Sequence, residues 1–161
     1  MSKIKDLLKE NDTVLVFDID GVLAVLEFGK FNHYELDDIE WSKATEAGIS
    51  YYTEDKVSKK MQKFLKDKNM NNIYVITTAA NENEGIIKKD YVNKYYNIIG
   101  ENIFYVFDNK NKVDKLKKIK EKYKDLEDYK IIMIDDTVEI LNRVMDNTNF
   151  STAHISTFLD I

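Results

Sequence analysis

Val14-Leu15-Val16-Phe17-Asp18-Ile19-Asp20-Gly21-Val22-Leu23 is the stretch on which the reading of this chain turns. Four apolar β-formers run into two carboxylates spaced i, i+2, and glycine follows at once. An apolar run of this kind reads as a short, fully buried strand of a parallel sheet. Such a strand does not ordinarily end in acids. Asp is depleted in strands and is rarely buried unless it is paired or bound to a cation. In an open α/β sheet, the carboxyl ends of the strands are where ligands bind. Asp18 and Asp20 therefore stand where chemistry is expected.

Working outward, further apolar runs cover residues 73–76, 103–107, 131–134 and 152–155. The first of these ends in Thr77-Thr78 and the third in Asp135-Asp136. Helical patterns lie between them. Residues 4–9 suggest a short helix. Thr53-Glu54 opens a helix to about residue 68, with Val57, Met61, Phe64 and Leu65 on one face. Asn81 and Glu84 stand at capping-box spacing before a helix that turns Ile87, Tyr91 and Tyr95 inward. Residues 111–123 form a Lys-rich helix with Val113, Leu116, Ile119 and Tyr123 as its buried stripe, and residues 137–145 form another. Strands alternating with helices predict a parallel sheet with right-handed crossovers. Residues 24–52 break the alternation. They are irregular and aromatic (Phe28, Phe31, Tyr34, Trp41, Tyr51, Tyr52) and read as an inserted flap, a hairpin or loop. With no repeat and no linker, residues 1–161 form one domain.

Composition bounds the partners. The chain has 161 residues, 43% of them hydrophobic, which suits one core and leaves little room for a second. Charged residues make up 33% and the net charge is -5, so there is no general pull toward nucleic acid or anionic membranes. The absence of cysteine excludes disulfides, thiolate metal sites and Cys nucleophiles. No segment approaches a membrane span and the first residues carry no apolar leader pattern, so a soluble cytoplasmic protein is the expectation. Proline is absent too, which says nothing about function.

Polar groups recur at the carboxyl ends of four successive strands. They are Asp18 and Asp20, then Thr77, then Lys110 or Lys112, then Asp135 and Asp136. Parallel strands put them on one edge of the sheet, and a reversal of strand order near the first strand gathers them into one crevice. Several carboxylates cannot share a pocket without a cation, because their repulsion would raise their pKa values or open the site. Hard oxygen ligands select Mg²⁺, which commonly bridges to phosphate. A hydroxyl, a lysine and backbone N–H groups beside that metal make an anion site. A metal, Lys and Thr around a carboxylate point to phosphoryl transfer with the carboxylate as nucleophile.

These residues carry a resemblance. The chain is similar to the haloacid dehalogenase-like (HAD) superfamily, in its phosphatase branch, over residues 14–155. Asp18-Ile19-Asp20-Gly21-Val22 resembles the first family motif, with Val22 in place of the commoner Thr. Val75-Ile76-Thr77 resembles the second, Asn111-Lys112-Val113 the loosely defined third, and the strand ending Asp135-Asp136 the fourth. The resemblance implies a Rossmann-like three-layer α/β parallel sheet with the first strand central. It implies that Asp18 attacks phosphorus to form an aspartyl-phosphate, and that Asp20 protonates the leaving group and then activates water. Relatives that dehalogenate or cleave phosphonates lack this second acid, so a phosphatase is implied. Asp18, the backbone carbonyl of Asp20 and Asp136 would hold Mg²⁺, with Asp135 supporting or sharing. Thr77 with Thr78, Lys112 and Gly21 would bind the phosphoryl group. Lys110 stays open as an alternative to Lys112, which opens its helix.

In that family, substrate choice comes from inserted caps. Residues 77–103 hold one helix and little else, and the insertion at 24–52 is too short for a helical cap domain. A small flap implies an open site that admits large substrates, or one closed by a second copy of the chain. Glu27, His33 and Trp41 are the flap residues expected near the pocket. The phosphorylated substrate is not named by these features. A nucleotide or a nucleic-acid end is one alternative, which the acidic balance does not favour. A non-catalytic phospho-binding module, such as a receiver domain, is another, but its acid pair belongs at the first strand and here the pair is at the fourth. His154, in a short alternating strand, reads as structural, and the lysines of residues 111–123 as a solvated face.

Overall fold

Five parallel strands carry the fold, and the central one is the apolar run near the start of the chain. In the computed structural model the described residues are 3–25 and 36–161. The strands are β1 (Val14–Phe17), β2 (Ile73–Thr78), β3 (Ile103–Val106), β4 (Ile131–Asp135) and β5 (Ser151–His154), in the order β3-β2-β1-β4-β5. All four pairings are parallel. The order reverses at β1, so a crevice opens at its carboxyl end between the connections of β1 and its two neighbours.

The α-helices among the described residues are α1 (Lys3–Lys9), α2 (Asp38–Glu46), α3 (Lys59–Leu65), α4 (Glu82–Tyr96), α5 (Lys112–Glu121) and α6 (Val138–Asn147). Strand alternation sends side chains to two faces. Leu15, Phe17, Ile73, Val75, Ile132 and Ile134 pack with α1, α3 and α4 through Leu8, Met61, Leu65, Tyr91 and Val92. Val14, Val16, Tyr74, Ile76, Ile131 and Met133 pack with α5 and α6 through Val113, Leu116, Ile119, Leu141 and Val144. The sheet is covered on both faces, which is why β1 and β4 read as unbroken apolar runs. The fold is thus the expected α/β three-layer arrangement with β1 in the middle. Among the described residues, no helix is long and apolar enough to cross a membrane.

Two expectations need correction. The insertion is not a plain hairpin or loop, because it contains α2. Asp37 caps that helix, accepting from the N–H groups of Ile39 at 2.9 Å and Glu40 at 2.8 Å, while Glu40 accepts from the Asp37 N–H at 3.2 Å. That reciprocal pair is a capping box. The helix expected from residue 53 begins only at Lys59. Residues Glu54–Lys56 form a single 3₁₀ turn, Val57 is extended, and Ser58 caps α3 by accepting from the Met61 N–H. Val57 is held extended because its neighbours pair with the chain leaving β1. The Val25 N–H donates to Lys56 O at 2.6 Å and the Ser58 N–H to Leu23 O at 3.1 Å. The insertion therefore returns to the core at residues 56–58, not at 52. Tyr96 of α4 locks this base, since its hydroxyl donates to Leu23 O and accepts from the Ser58 N–H.

Gly85 sets how closely α4 approaches β3. A Cβ there would stand 2.5 Å from Cδ2 and 2.7 Å from Cγ of Tyr105, too near the base of that side chain for it to swing away. Ala has the better helix propensity by about 1 kcal/mol. Overpacking costs about 1–3 kcal/mol and outweighs it. Gly85→Ala should therefore lower the urea midpoint. On a Tyr105→Ala background the same change should be neutral or stabilising, and the four proteins of this cycle check it by urea unfolding.

Candidate active site

Strand parity decides which side chains meet at the carboxyl edge. Val14 and Val16 face the α5–α6 layer, so Asp18, the next residue of that parity, does too. Ile131 and Met133 face it, and Asp135 follows them; Tyr74 and Ile76 face it, and Thr78 follows them. α5 starts in this layer at the sheet edge, with Lys112 as its first residue. Its ammonium group lies between two acids and donates to Asp18 Oδ1 and Asp135 Oδ2, both at 3.0 Å. The Lys112, Asp18 and Asp135 side chains are 2%, 9% and 0% exposed. Lys110 lies on the turn before α5 and is exposed. Of the two lysines considered, Lys112 is the one inside the site.

Each oxygen of Asp135 has a partner within the protein. Its other oxygen accepts from the Thr137 N–H at 2.9 Å, just before α6 begins. Asp136 is half-buried and turns toward the cavity, with Oδ1 accepting from the Thr137 hydroxyl at 3.1 Å. The Asp136 carbonyl accepts from His154 Nε2 at 3.0 Å. His154 Nδ1 accepts from the Ser156 N–H at 3.2 Å, so the ring proton is assigned to Nε2. His154 thus fixes the backbone that carries Asp136. Gly21 is required here for two reasons. Its φ is +74°, and a Cβ would stand 2.1 Å from Asp136 Oδ2. Its N–H donates to Ala24 O at 3.0 Å, which closes the turn after Asp20. The sequence reading gave Gly21 to phosphate binding. In the structure its N–H serves the turn, and its contribution to the site is room for Asp136.

Carboxylate oxygens of Asp18, Asp135 and Asp136 lie within 4.8 Å of one another. One ammonium group cannot balance three acids. Burial pushes the Asp18 carboxyl up to about 6; Lys112 pulls against this, and the charges of Asp135 and Asp20 add to it. Burial likewise raises Asp135 against the pull of Lys112. Burial alone would lower Lys112, but the two facing carboxylates outweigh it and keep the lysine charged. The site is short of positive charge and offers hard oxygen donors, which is what Mg²⁺ accepts.

A cavity of about 570 Å³ opens above these groups. Asp18, Asp20, Asp136, Lys112 and Thr78 line it, with Leu36, Trp41, Phe107 and Ile140 as apolar wall. Trp41 also stacks on Tyr51 with ring centroids 4.7 Å apart. Glu27 and His33 lie outside the described residues. Of the two threonines expected at the site, Thr77 belongs to the opposite parity with Ile73 and Val75. It is buried, does not line the cavity, and its hydroxyl has no hydrogen-bond partner among the described residues. Thr78 lines the cavity instead, with its hydroxyl bonded to Asn109. Lys88, Glu84 and Tyr52, which reach Asp20 or its partners, were not among the expected site residues. Their signal was present: Glu84, Lys88, Tyr91 and Tyr95 fall on one stripe of α4. Charged residues on an inner stripe read as surface until a buried acid is found opposite them.

The charge shortfall has a measurable consequence in metal-free protein. With its pKa raised to about 6, Asp18 binds a proton more readily in the folded than in the unfolded state. Stability from this group is therefore lost as pH rises from about 4 to about 7, by an amount of order 2–3 kcal/mol. Asp18→Asn removes the charge and leaves Lys112 paired with Asp135. Melting in EDTA at pH 8 should show the variant more stable than the parent, and the difference should vanish near pH 4.

No protein-family model matches the chain. No curated protein matches it either. Solved structures do match in shape. DsGPDH of Dunaliella salina aligns with a TM-score of 0.57 at 14% identity over 94% of this chain, which spans only 25% of that protein's length. The HAD domain of the effector protein Lem4 from Legionella pneumophila, in an inactive mutant, aligns with a TM-score of 0.51 at 12% identity, over 94% of this chain and 92% of that domain. At such identities the likeness concerns the fold: this chain has a HAD-like, Rossmann-type α/β fold.

Proposed function

We propose that the chain is a Mg²⁺-dependent phosphohydrolase that works through an aspartyl-phosphate on Asp18. The observation that supports it most is the buried Asp18–Lys112–Asp135 cluster beside Asp136, at the sheet edge where β1 reverses the strand order. Asp18, Asp136 and the backbone carbonyl of Asp20 would hold the cation. When bound, it supplies the charge that the three acids lack and draws phosphoryl oxygens toward Asp18.

An Asp18 carboxylate oxygen attacks phosphorus, and the bond from phosphorus to the leaving oxygen breaks. Asp20 gives that oxygen a proton. Asp20 then takes a proton from water, which attacks phosphorus and breaks the bond to Asp18, so that inorganic phosphate leaves and the free acid returns. Lys112 and Thr78 hold the phosphoryl oxygens, while Asp135 holds Lys112. Of the two expected threonines, Thr78 is the one that fills this role, because it shares the parity of Asp18. The wall formed by Leu36, Trp41, Phe107 and Ile140 is in position to face the organic part of a phosphate monoester.

Turnover of an aryl phosphate with Mg²⁺ is the direct test. Activity should disappear in EDTA and return with Mg²⁺. Asp18→Asn should lower kcat/KM at least ~100-fold. Parent-level activity in that variant would contradict the proposal. The substitution predicted to stabilise metal-free protein is thus also the one predicted to abolish turnover, as expected where a site holds uncompensated charge for function.

A further inference from the structure

Asp20 is clamped on both oxygens by groups outside the sheet edge. The Tyr52 hydroxyl donates to Oδ1 at 2.7 Å, and the Lys88 ammonium group donates to Oδ2 at 2.7 Å. Lys88 comes from the second turn of α4 and Tyr52 from the segment between α2 and α3, so two separate parts of the chain converge on one carboxylate. The lysine side chain is 2% exposed, although its carrier helix lies on the outer layer. Glu84 holds both donors. It pairs with Lys88 at 2.9 Å, accepts from the Tyr52 hydroxyl at 3.4 Å and from the Ala80 N–H at 2.7 Å, and is itself buried. Lys88 also donates to the Thr78 carbonyl, which ties the clamp to the end of β2. The Tyr52 ring lies over the ammonium group, 5.5 Å from centroid to Nζ.

Burying a lysine and a glutamate together is costly unless the geometry is satisfied throughout. A less demanding helix would put apolar residues on this stripe, as α4 does further along with Tyr91 and Val92. The fixed charges here therefore need a reason beyond packing. Asp20 is the carboxylate they hold, and it keeps part of its side chain open to the cavity at 38% exposure.

We propose that Lys88, Tyr52 and Glu84 are positioning residues that hold the Asp20 carboxylate where it meets the leaving-group oxygen. The inference rests on the reading of Asp20 as the acid of a phosphohydrolase. A group that must hand over a proton works only within hydrogen-bond reach of the receiving oxygen, and a free Asp side chain samples other rotamers. Tyr52 belongs to the same insertion as Leu36 and Trp41, so the segment that walls the cavity also sets the acid.

A leaving-group comparison separates positioning from general damage. A nitrophenolate departs without a proton, whereas an alkoxide departs poorly without one. Lys88→Met and Tyr52→Phe should lower kcat/KM on an alkyl phosphate by ~10-fold or more while changing kcat/KM on p-nitrophenyl phosphate less than ~3-fold, because kcat/KM covers the steps up to departure of the leaving group and not the later attack of water. Tyr52→Phe deletes one oxygen and keeps the ring, so it carries the test if Lys88→Met does not fold. Equal losses on both substrates in Tyr52→Phe, or no loss on either, would overturn the inference. Failure of the parent protein to turn over either substrate would instead overturn the phosphohydrolase reading on which it rests.

Discussion

One buried lysine between two buried carboxylates is the contact on which the carboxyl edge of this sheet depends. Lys112 is the first residue of α5, so it joins that helix to the ends of β1 and β4 at once. A buried ion cluster of this kind is weak evidence for stability, because desolvation offsets most of the Coulomb gain. Its effect is to specify geometry. Removing Lys112 would leave Asp18 and Asp135 facing each other in a dry site, and removing Asp135 would free the lysine. The three groups fix one another, and Asp136 and Gly21 take their places around them.

The same edge shows why two acids of one motif can act differently. Asp18 continues β1 and lies in the α5–α6 layer, where burial and neighbouring acids raise it and a cation is wanted. Asp20 lies past the strand, half open, and is served from the α4 side by Tyr52 and Lys88. Two lysines, one from each helical layer, divide the pair. The intervening Ile19 is fully buried and accepts three N–H groups of the following turn on its carbonyl, so the two acids cannot exchange places.

Much of this was legible in the chain itself. Strand positions follow from apolar runs that end in polar groups, the pattern of covered parallel strands, whereas the central place of β1 is implied only by the family resemblance. The choice between Thr77 and Thr78 was hidden, since both end the same run; only parity relative to Asp18 separates them, and parity needs the register of β2 on β1. Helix α2 was missed although Asp37 and Glu40 spell a capping box, because its aromatic surroundings and weak apolar periodicity masked it. Lys88 and Glu84 were passed over for the opposite reason: a charged i, i+4 pair is what an exposed helix face ordinarily shows. Local pattern reports burial by apolar groups well. It reports burial by matched charges poorly, because the match lies in a distant part of the chain.

The central claim is that Asp18 carries the phosphoryl group, and one measurement addresses it. Asp20→Asn protein, which lacks the base for the second step, is mixed with Mg²⁺ and p-nitrophenyl phosphate, quenched in acid, digested and read by mass spectrometry. The account predicts a phosphoryl adduct on the peptide that holds Asp18, removed by hydroxylamine as an acyl phosphate is. Release of nitrophenol with no adduct on that peptide, or with the adduct on another residue, would contradict it.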